Sequence, residues 1–318
     1  MLSTSFTTLV GCEVPLQQAG MGGVATPALA AAVAEAGGLG MIGGVMVPPP
    51  ALAAMLDGIG QPARGAVGVN FLMPFLDRAA VEVAASRARV VEFFYAPPDA
   101  SLVALVHAGG ALAAWQVGSV AEGVAAVRAG CDFIVAQGTE AGGHVRGQTA
   151  LLPLLAELLD AVDVPVVAAG GIGTARTMAA ALAAGAAAVR VGTRFVASRE
   201  ADVHPDYVAA LIAASAADTV LTEAFSVMWP NAPHRVLRSS VAAAEACTVD
   251  VVGETEQGGV RMPIPRFAVP CPNATTTGNV AAMALYAGES VGAVRGIVPA
   301  AEIVRELASG AERLLRRW

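Results

Sequence analysis

The sequence predicts an α/β fold: a (β/α)8 barrel with a C-terminal extension packed on it. Short apolar runs recur, each followed by a loop marked with Gly or Pro and then by an Ala/Leu-rich helical segment. About eight such strand-then-helix units fall within roughly two hundred residues, the proportion a closed eight-stranded barrel requires. After Arg199 the rhythm breaks, so residues 1–200 are expected to form the barrel and 201–318 an irregular and helical extension. An open doubly wound sheet shares the same local rhythm, and periodicity leaves that alternative open.

The expected strands are Val14–Gln17, Leu39–Ile42, Ala66–Asn70, Val90–Phe94, Ala111–Gln116, Phe133–Ala136, Val164–Ala169 and Ala187–Val191. Their runs are apolar without alternation, which suits strands covered on both faces. Pro27–Ala36 reads as a helix opened by Thr26 as N-cap, with Pro27 in its first turn and Gly37 and Gly38 ending it. Ala121–Ala129, Leu151–Ala161 and Ala175–Ala184 are further helices. In the extension, Asp202–Ala214 looks helical and Asp218–Arg266 irregular and richer in charge. Val280–Gly288 and Ala301–Arg317 read as helices, the last one amphipathic.

Composition narrows the partners. The chain has 318 residues, 19 basic and 26 acidic, for a formal net charge of -7, and every basic residue is Arg. No basic stripe exists to meet phosphates along a nucleic acid. Mean hydropathy is high at +0.62. Yet the uncharged windows Ala36–Leu56, Ala100–Ala121 and Phe267–Gly288 are broken by Pro48–Pro50, by Gly109, Gly110 and Gly118, and by Pro270 and Pro272. They therefore read as buried strands and loops, not membrane spans. Cys12, Cys131, Cys247 and Cys271 are scattered, which suggests neither a zinc site nor a disulfide framework. Without a basic segment before an apolar stretch at the N-terminus, a cytoplasmic protein is expected.

In a parallel barrel, function gathers at the C-terminal ends of the strands, where the βα loops converge. After the first strand comes Gln18-Ala19-Gly20-Met21-Gly22-Gly23, and after the third Asn70-Phe71. The sixth leads into Gln137-Gly138-Thr139-Glu140-Ala141-Gly142-Gly143-His144. The seventh leads into Gly170-Gly171-Ile172-Gly173-Thr174, and the eighth into Gly192-Thr193-Arg194-Phe195. Glycines there let backbone N–H groups approach phosphate oxygens, and the last two loops lie where barrel phosphate sites form. Tight turns in a crowded barrel are the plainer alternative. Asn70 and Gln137 can each donate and accept, which suits an imide-like ring edge; tying a βα loop to its neighbours is the alternative use.

His144 is the side chain best suited to take a proton near neutral pH. His107, His204 and His234 lack comparable neighbours and read as structural, with the last two expected in solvent beside Asp206 and Arg235. Glu140 is either a base or a ligand of backbone amides, and Cys131 reads as core. No metal-ligand spacing and no nucleophile elbow is present.

These blocks resemble the FMN-dependent nitronate monooxygenases, formerly called 2-nitropropane dioxygenases. The most specific element is Gly138-Thr139-Glu140-Ala141-Gly142-Gly143-His144, and Leu285-Tyr286-Ala287-Gly288 resembles the family's ending. The resemblance implies a TIM-barrel flavoprotein with non-covalent FMN. Gly20, Met21 and Gly22 would lie along the ring, and Asn70 and Gln137 would contact it. The backbone of Gly142, Gly170, Gly171, Arg190, Val191, Gly192 and Thr193 would hold ring and phosphate. His144 would act as base toward a nitroalkane or as hydrogen-bond donor to a nitronate. Oxygen would be the second substrate, carbonyl compounds and nitrite the products, and a homodimer is an open expectation.

Lacking Lys, the chain has no counterpart of the lysine some relatives place near the pocket, and Arg295 is a candidate substitute. FMN-dependent reductases using NAD(P)H on enoyl-acyl-carrier-protein or quinone share the Gly-Gly-His block. A flavin-free barrel isomerase or lyase acting on a phosphate ligand is the reading from another class.

Overall fold

In the computed structural model, which describes residues 2–257 and 259–317, eight parallel strands follow one another around a closed barrel. They are β1 (Leu16–Gln18), β2 (Leu39–Gly43), β3 (Ala66–Leu72), β4 (Val90–Phe94), β5 (Leu112–Val117), β6 (Phe133–Gln137), β7 (Val166–Ala169) and β8 (Ala188–Val191). β8 closes on β1 with Gln17 opposite Arg190. The doubly wound alternative is thereby excluded, because an open sheet has no such closure. Strand limits move by a residue or two from those expected.

Helices cover the outside. They are α2 (Pro27–Glu35), α3 (Pro49–Ile59), α4 (Arg78–Arg87), α5 (Ala100–Gly109), α6 (Val120–Arg128), α7 (Leu151–Ala161) and α8 (Ala175–Ala183), and α1 (Ser5–Val10) precedes them all. Thr26 caps α2 by accepting from the Leu29 amide at 3.0 Å, with Pro27 in the first turn as expected. Strand side chains divide by parity. Phe71, Phe93 and Trp115 point to the helices, with Phe93 and Trp115 rings 4.9 Å apart. Leu39, Met41, Val90, Phe133, Val135 and Val167 fill the interior. α1, absent from the sequence expectation, closes the lower end of that interior: Phe6 meets Phe133 edge-on at 5.4 Å.

The extension differs from expectation in two places. Asp218–Arg266 is ordered: β9 (Thr219–Thr222) pairs with β10 (His234–Leu237), α11 (Arg238–Ala246) follows, and β11 (Val251–Gln257) pairs with β12 (Val260–Pro265). These strands are short and partly exposed, so they carry almost no apolar periodicity, and pairing with distant partners makes them. Val280–Gly288 is not a helix. Only Val280–Ala282 turns, as a 3-10 segment. Beyond it the chain runs extended along β10, where the Leu237 amide donates to Leu285 O and the Ala287 amide to Arg235 O. Tertiary pairing overrides the helix propensity of Ala and Leu there.

α10 (Pro205–Ala213) starts three residues later than expected, after α9 (Thr193–Val196). α12 (Ala300–Leu315) returns to the barrel and buries Ile303, Val304 and Leu307 against α8 and α2. No helix among the described residues is long and apolar enough to cross a membrane.

Candidate active site

The glycine loops meet at one mouth, above the C-terminal ends of the strands. A Cβ on Gly20 would lie 2.6 Å from Asn70 Cβ, so the β1 loop passes directly over the end of β3. Gly22 sits against Gly43, where a Cβ would reach its Cα at 2.9 Å. The Ala19 amide donates to Val191 O at 2.9 Å, and Met21 approaches Gly192, which joins the loops after β1 and β8. Gly170 (φ +120) and Gly171 (φ +64) use backbone conformations that favour glycine, and they place the β7 loop beside Gly138 and Glu140 of the β6 loop. Gly142 lies against the Gly288 backbone, too close for any side chain, and the Gly288 amide donates to Thr193 Oγ1 at 3.0 Å.

Arg190 and Val191 are still inside β8, paired with Gln17 and Gln18 of β1. Gly192 and Thr193 lie just beyond the strand, where Gly192 precedes α9.

Beneath this mouth a polar layer crosses the barrel. Glu92, fully buried, accepts from Asn70 Nδ2 at 2.7 Å through Oε1 and from Gln17 Nε2 at 3.0 Å through Oε2. Arg190 pairs with the same carboxylate through Nη2, and donates through Nε to Gln17 Oε1 at 3.2 Å and through Nη1 to Gln116 Oε1 at 2.5 Å. Sequence reasoning found Asn70 but missed Gln17, Glu92 and Gln116. One signal was available: Glu92 is the only charge in the apolar run Val90–Phe94.

One wall of the mouth comes from the extension. Gly143 and His144 pair with Arg235 and His234 of β10, which sets the direction of the His144 backbone. The His144 ring stacks on Trp229 at 3.9 Å and 21°, with Tyr286 at 5.7 Å and Tyr95 at 5.9 Å. Tyr95, just past β4, holds an unusual left-handed backbone (φ +76) and meets Trp229 at 4.7 Å. Gln137 Nε2 donates to His144 O at 2.9 Å. Two enclosed polar atoms, Gln137 Oε1 and His144 Nε2, have no partner among the described residues. An unpaired buried polar atom costs roughly 1–3 kcal/mol, so two of them on neighbouring residues fit a place where a ligand supplies the missing partner. Burial, and then the neighbouring His234, push the His144 imidazole down to about 3, so the ring is neutral at physiological pH.

Other expectations resolve as follows. His234 is not solvated. It is fully buried, its Nε2 accepts from the Phe225 amide at 3.2 Å, and its Nδ1 faces Ala232 O at 2.8 Å, an arrangement that suits the neutral ring. His204 caps α10 by accepting from the Asp206 amide at 3.1 Å, and His107 pairs with Asp132 at 2.9 Å. Glu140 accepts from the Leu151 amide at 3.0 Å, the loop-tying alternative. Tyr286 belongs to the extended segment, not to a helix, and donates to Val269 O at 2.7 Å. Arg295 lines a separate cavity of about 700 Å³ near α8 and α12, which takes in Thr174 and Arg194 from the β7 and β8 loops but none of the candidate cofactor residues or His144. The buried cation at the mouth is Arg190. Among the described residues no His, Cys, Asp and Glu group is placed to hold a metal.

Fold and relatives together define a class: oxidoreductases built on a closed (β/α)8 barrel. The family described as nitronate monooxygenase matches residues 3–78 and 63–310, and the chain belongs to that family. It is 35% identical to (3aS,4S,5R,7aS)-5-hydroxy-7a-methyl-1-oxo-octahydro-1H-indene-4-carboxyl-CoA dehydrogenase of Rhodococcus jostii, over 76% of this chain and 67% of that protein. Among solved structures, FabK from Thermotoga maritima superposes with a TM-score of 0.80 at 30% identity, covering 100% of this chain and 98% of that one. A nitroalkane oxidase from Streptomyces ansochromogenes gives 0.77 at 28% identity, covering 98% and 100%.

Proposed function

We propose that the protein is an FMN-dependent oxidoreductase that oxidises alkyl nitronates, with nitroalkanes as precursors, by oxygen to carbonyl compounds and nitrite. The unpaired acceptor on Gln137, enclosed at the end of β6 where the glycine loops converge, is the observation that carries the cofactor. The ribityl hydroxyls of FMN would bring the donor that Gln137 Oε1 lacks. The phosphate would rest on the backbone of Gly170, Gly171, Gly192 and Thr193, beyond the ends of β7 and β8. Bound FMN would supply the electron acceptance that the side chains cannot.

His144 does the proton work. Its ring is neutral and its Nε2 is enclosed and unbonded, so it can accept the α-proton of a nitroalkane. The imidazolium then formed would lie beside the nitronate, whose negative charge compensates the burial that otherwise disfavours it. Trp229 covers the ring face and keeps water from competing for that proton.

The test is oxygen uptake with propyl nitronate and with 1-nitropropane by the FMN-loaded protein. Turnover of both in the wild type, with the nitroalkane lost in His144→Ala, is the expected result. No turnover of either refutes the assignment. The full-length likeness to FabK and the kinship with a carboxyl-CoA dehydrogenase favour a second reading, an FMN enzyme using NAD(P)H on an acyl thioester. Anaerobic bleaching of the flavin by NADH or NADPH, with nitronates inert, would select it.

A further inference from the structure

The polar layer under the mouth has a feature that simple barrel filling does not require. Its two charged groups are opposites in hydrogen bonding as well as in charge. A carboxylate only accepts and a guanidinium only donates, whereas a carboxamide can do either according to how it is turned. Glu92 therefore obliges Asn70 to present its amide nitrogen downward, which leaves Asn70 Oδ1 as the free end. Arg190 obliges Gln116 to present its oxygen, which leaves Gln116 Nε2 free. Gln17 is bonded at both ends, to Glu92 and to Arg190, and completes the layer without offering anything further. Neither Asn70 Oδ1 nor Gln116 Nε2 has a partner among the described residues.

We infer that the buried Glu92–Arg190 pair is a sorting device. It turns Asn70 into a dedicated acceptor and Gln116 into a dedicated donor for the pyrimidine edge of the flavin. That edge carries an N–H between two carbonyls, so one fixed acceptor and one fixed donor match it, and the reverse setting of either amide would not. Gln116 is thereby a cofactor-binding residue, and Glu92 and Arg190 are positioning residues that act through the amides. The inference rests on the flavin reading above. It also accounts for a buried ion pair in a barrel interior, where apolar side chains of similar volume are commonly no less stable.

The test uses the full chain loaded with FMN. Two quantities are followed: the FMN dissociation constant from fluorescence quenching, and the ring carbonyl stretches of isotope-labelled FMN by infrared difference spectroscopy. Gln116→Glu keeps the acceptor for Arg190 and removes the donor, and Gln116→Met removes both. Each should raise the dissociation constant about tenfold, the loss of one hydrogen bond of about 1.4 kcal/mol. Each should also shift one carbonyl stretch toward higher frequency. Arg190→Met removes the donor that sets Gln116, so Gln116→Glu added to Arg190→Met should weaken FMN by less than it does alone.

Variants that change only the urea midpoint, with wild-type FMN affinity and carbonyl frequencies, overturn the inference while leaving the flavin reading intact. Strict additivity of Arg190→Met and Gln116→Glu overturns the coupling through Arg190. A wild type that takes up no FMN overturns the flavin reading and this inference with it.

Discussion

The layer beneath the mouth and the wall beside it are both buried and polar, but they treat their polar atoms in opposite ways. In the layer, the Glu92 carboxylate is met by Asn70, Gln17 and Arg190, and only the outward amide ends stay free. In the wall, Gln137 Oε1 and His144 Nε2 are enclosed without a partner, and an aromatic ring lies over the imidazole. The first arrangement specifies a shape, because each bond constrains the next. The second stores an unmet demand that only a ligand or a proton can satisfy. A barrel can therefore contain stable and reactive polarity a few residues apart when different elements supply them: strands for the layer, loops and extension for the wall.

The sharpest way to break this comparison is to remove the reactive side. His144→Ala should lower turnover of a neutral nitroalkane about 10²–10⁴-fold, the range for a lost general base, with folding stability little changed. Oxygen consumption read alongside urea denaturation separates the two. The stable side should behave in reverse. Glu92→Leu alone strands a buried guanidinium and should cost about 3–5 kcal/mol of unfolding free energy, whereas Glu92→Leu with Arg190→Leu should recover most of it. Chemical denaturation of both variants reads this out, and a double variant no better than the single one would remove the stabilising pair from the argument.

A smaller effect is expected at the seam between the two regions. Gly142→Ala places a methyl group on the Gly288 backbone and should cost about 1–3 kcal/mol, seen in the same denaturation curves.

The finest test concerns pH. The His144 imidazole lies at about 3 in the folded chain, below its ordinary 6.5, so the unfolded chain binds the extra proton first. The stability carried by the neutral ring is intact above pH 6.5 and is lost progressively as pH falls from 6.5 toward 3. His234, lowered by burial in the same direction, adds to that loss. Thermal denaturation across this range should show a shallower slope for a His144→Gln, His234→Gln double variant. Trp229→Ala should raise the His144 pKa from about 3 by admitting water, and an NMR titration of the ring would report it.

Much of the barrel was legible in the sequence, because strands buried on both faces leave unbroken apolar runs and Thr26–Pro27 or Gly37–Gly38 mark a helix by local chemistry alone. The glycine loops and the imidazole were legible for a related reason: Gly171 and Gly142 are demanded by backbone geometry at their own positions. What escaped depends on distant partners. β9 and β10 exist because they pair, Trp229 matters only because β10 brings its segment over His144, and Gln116 acquires a fixed orientation only through Arg190. Leu285 and Tyr286 looked helical by composition, and pairing with β10 drew them out straight.

The two-residue ladder joining Gly143–His144 to His234–Arg235 has a further meaning for how such a protein is made and diversified. During synthesis the eight barrel strands emerge before β10, so a nascent barrel carries its imidazole on an unbraced loop until the later hairpin docks. On the proposed role of His144, reactivity would thus be switched on last. The same hairpin is a natural unit for grafting: exchanging residues 219–237 between relatives would re-aim the His144 ring and leave the strands beneath it undisturbed.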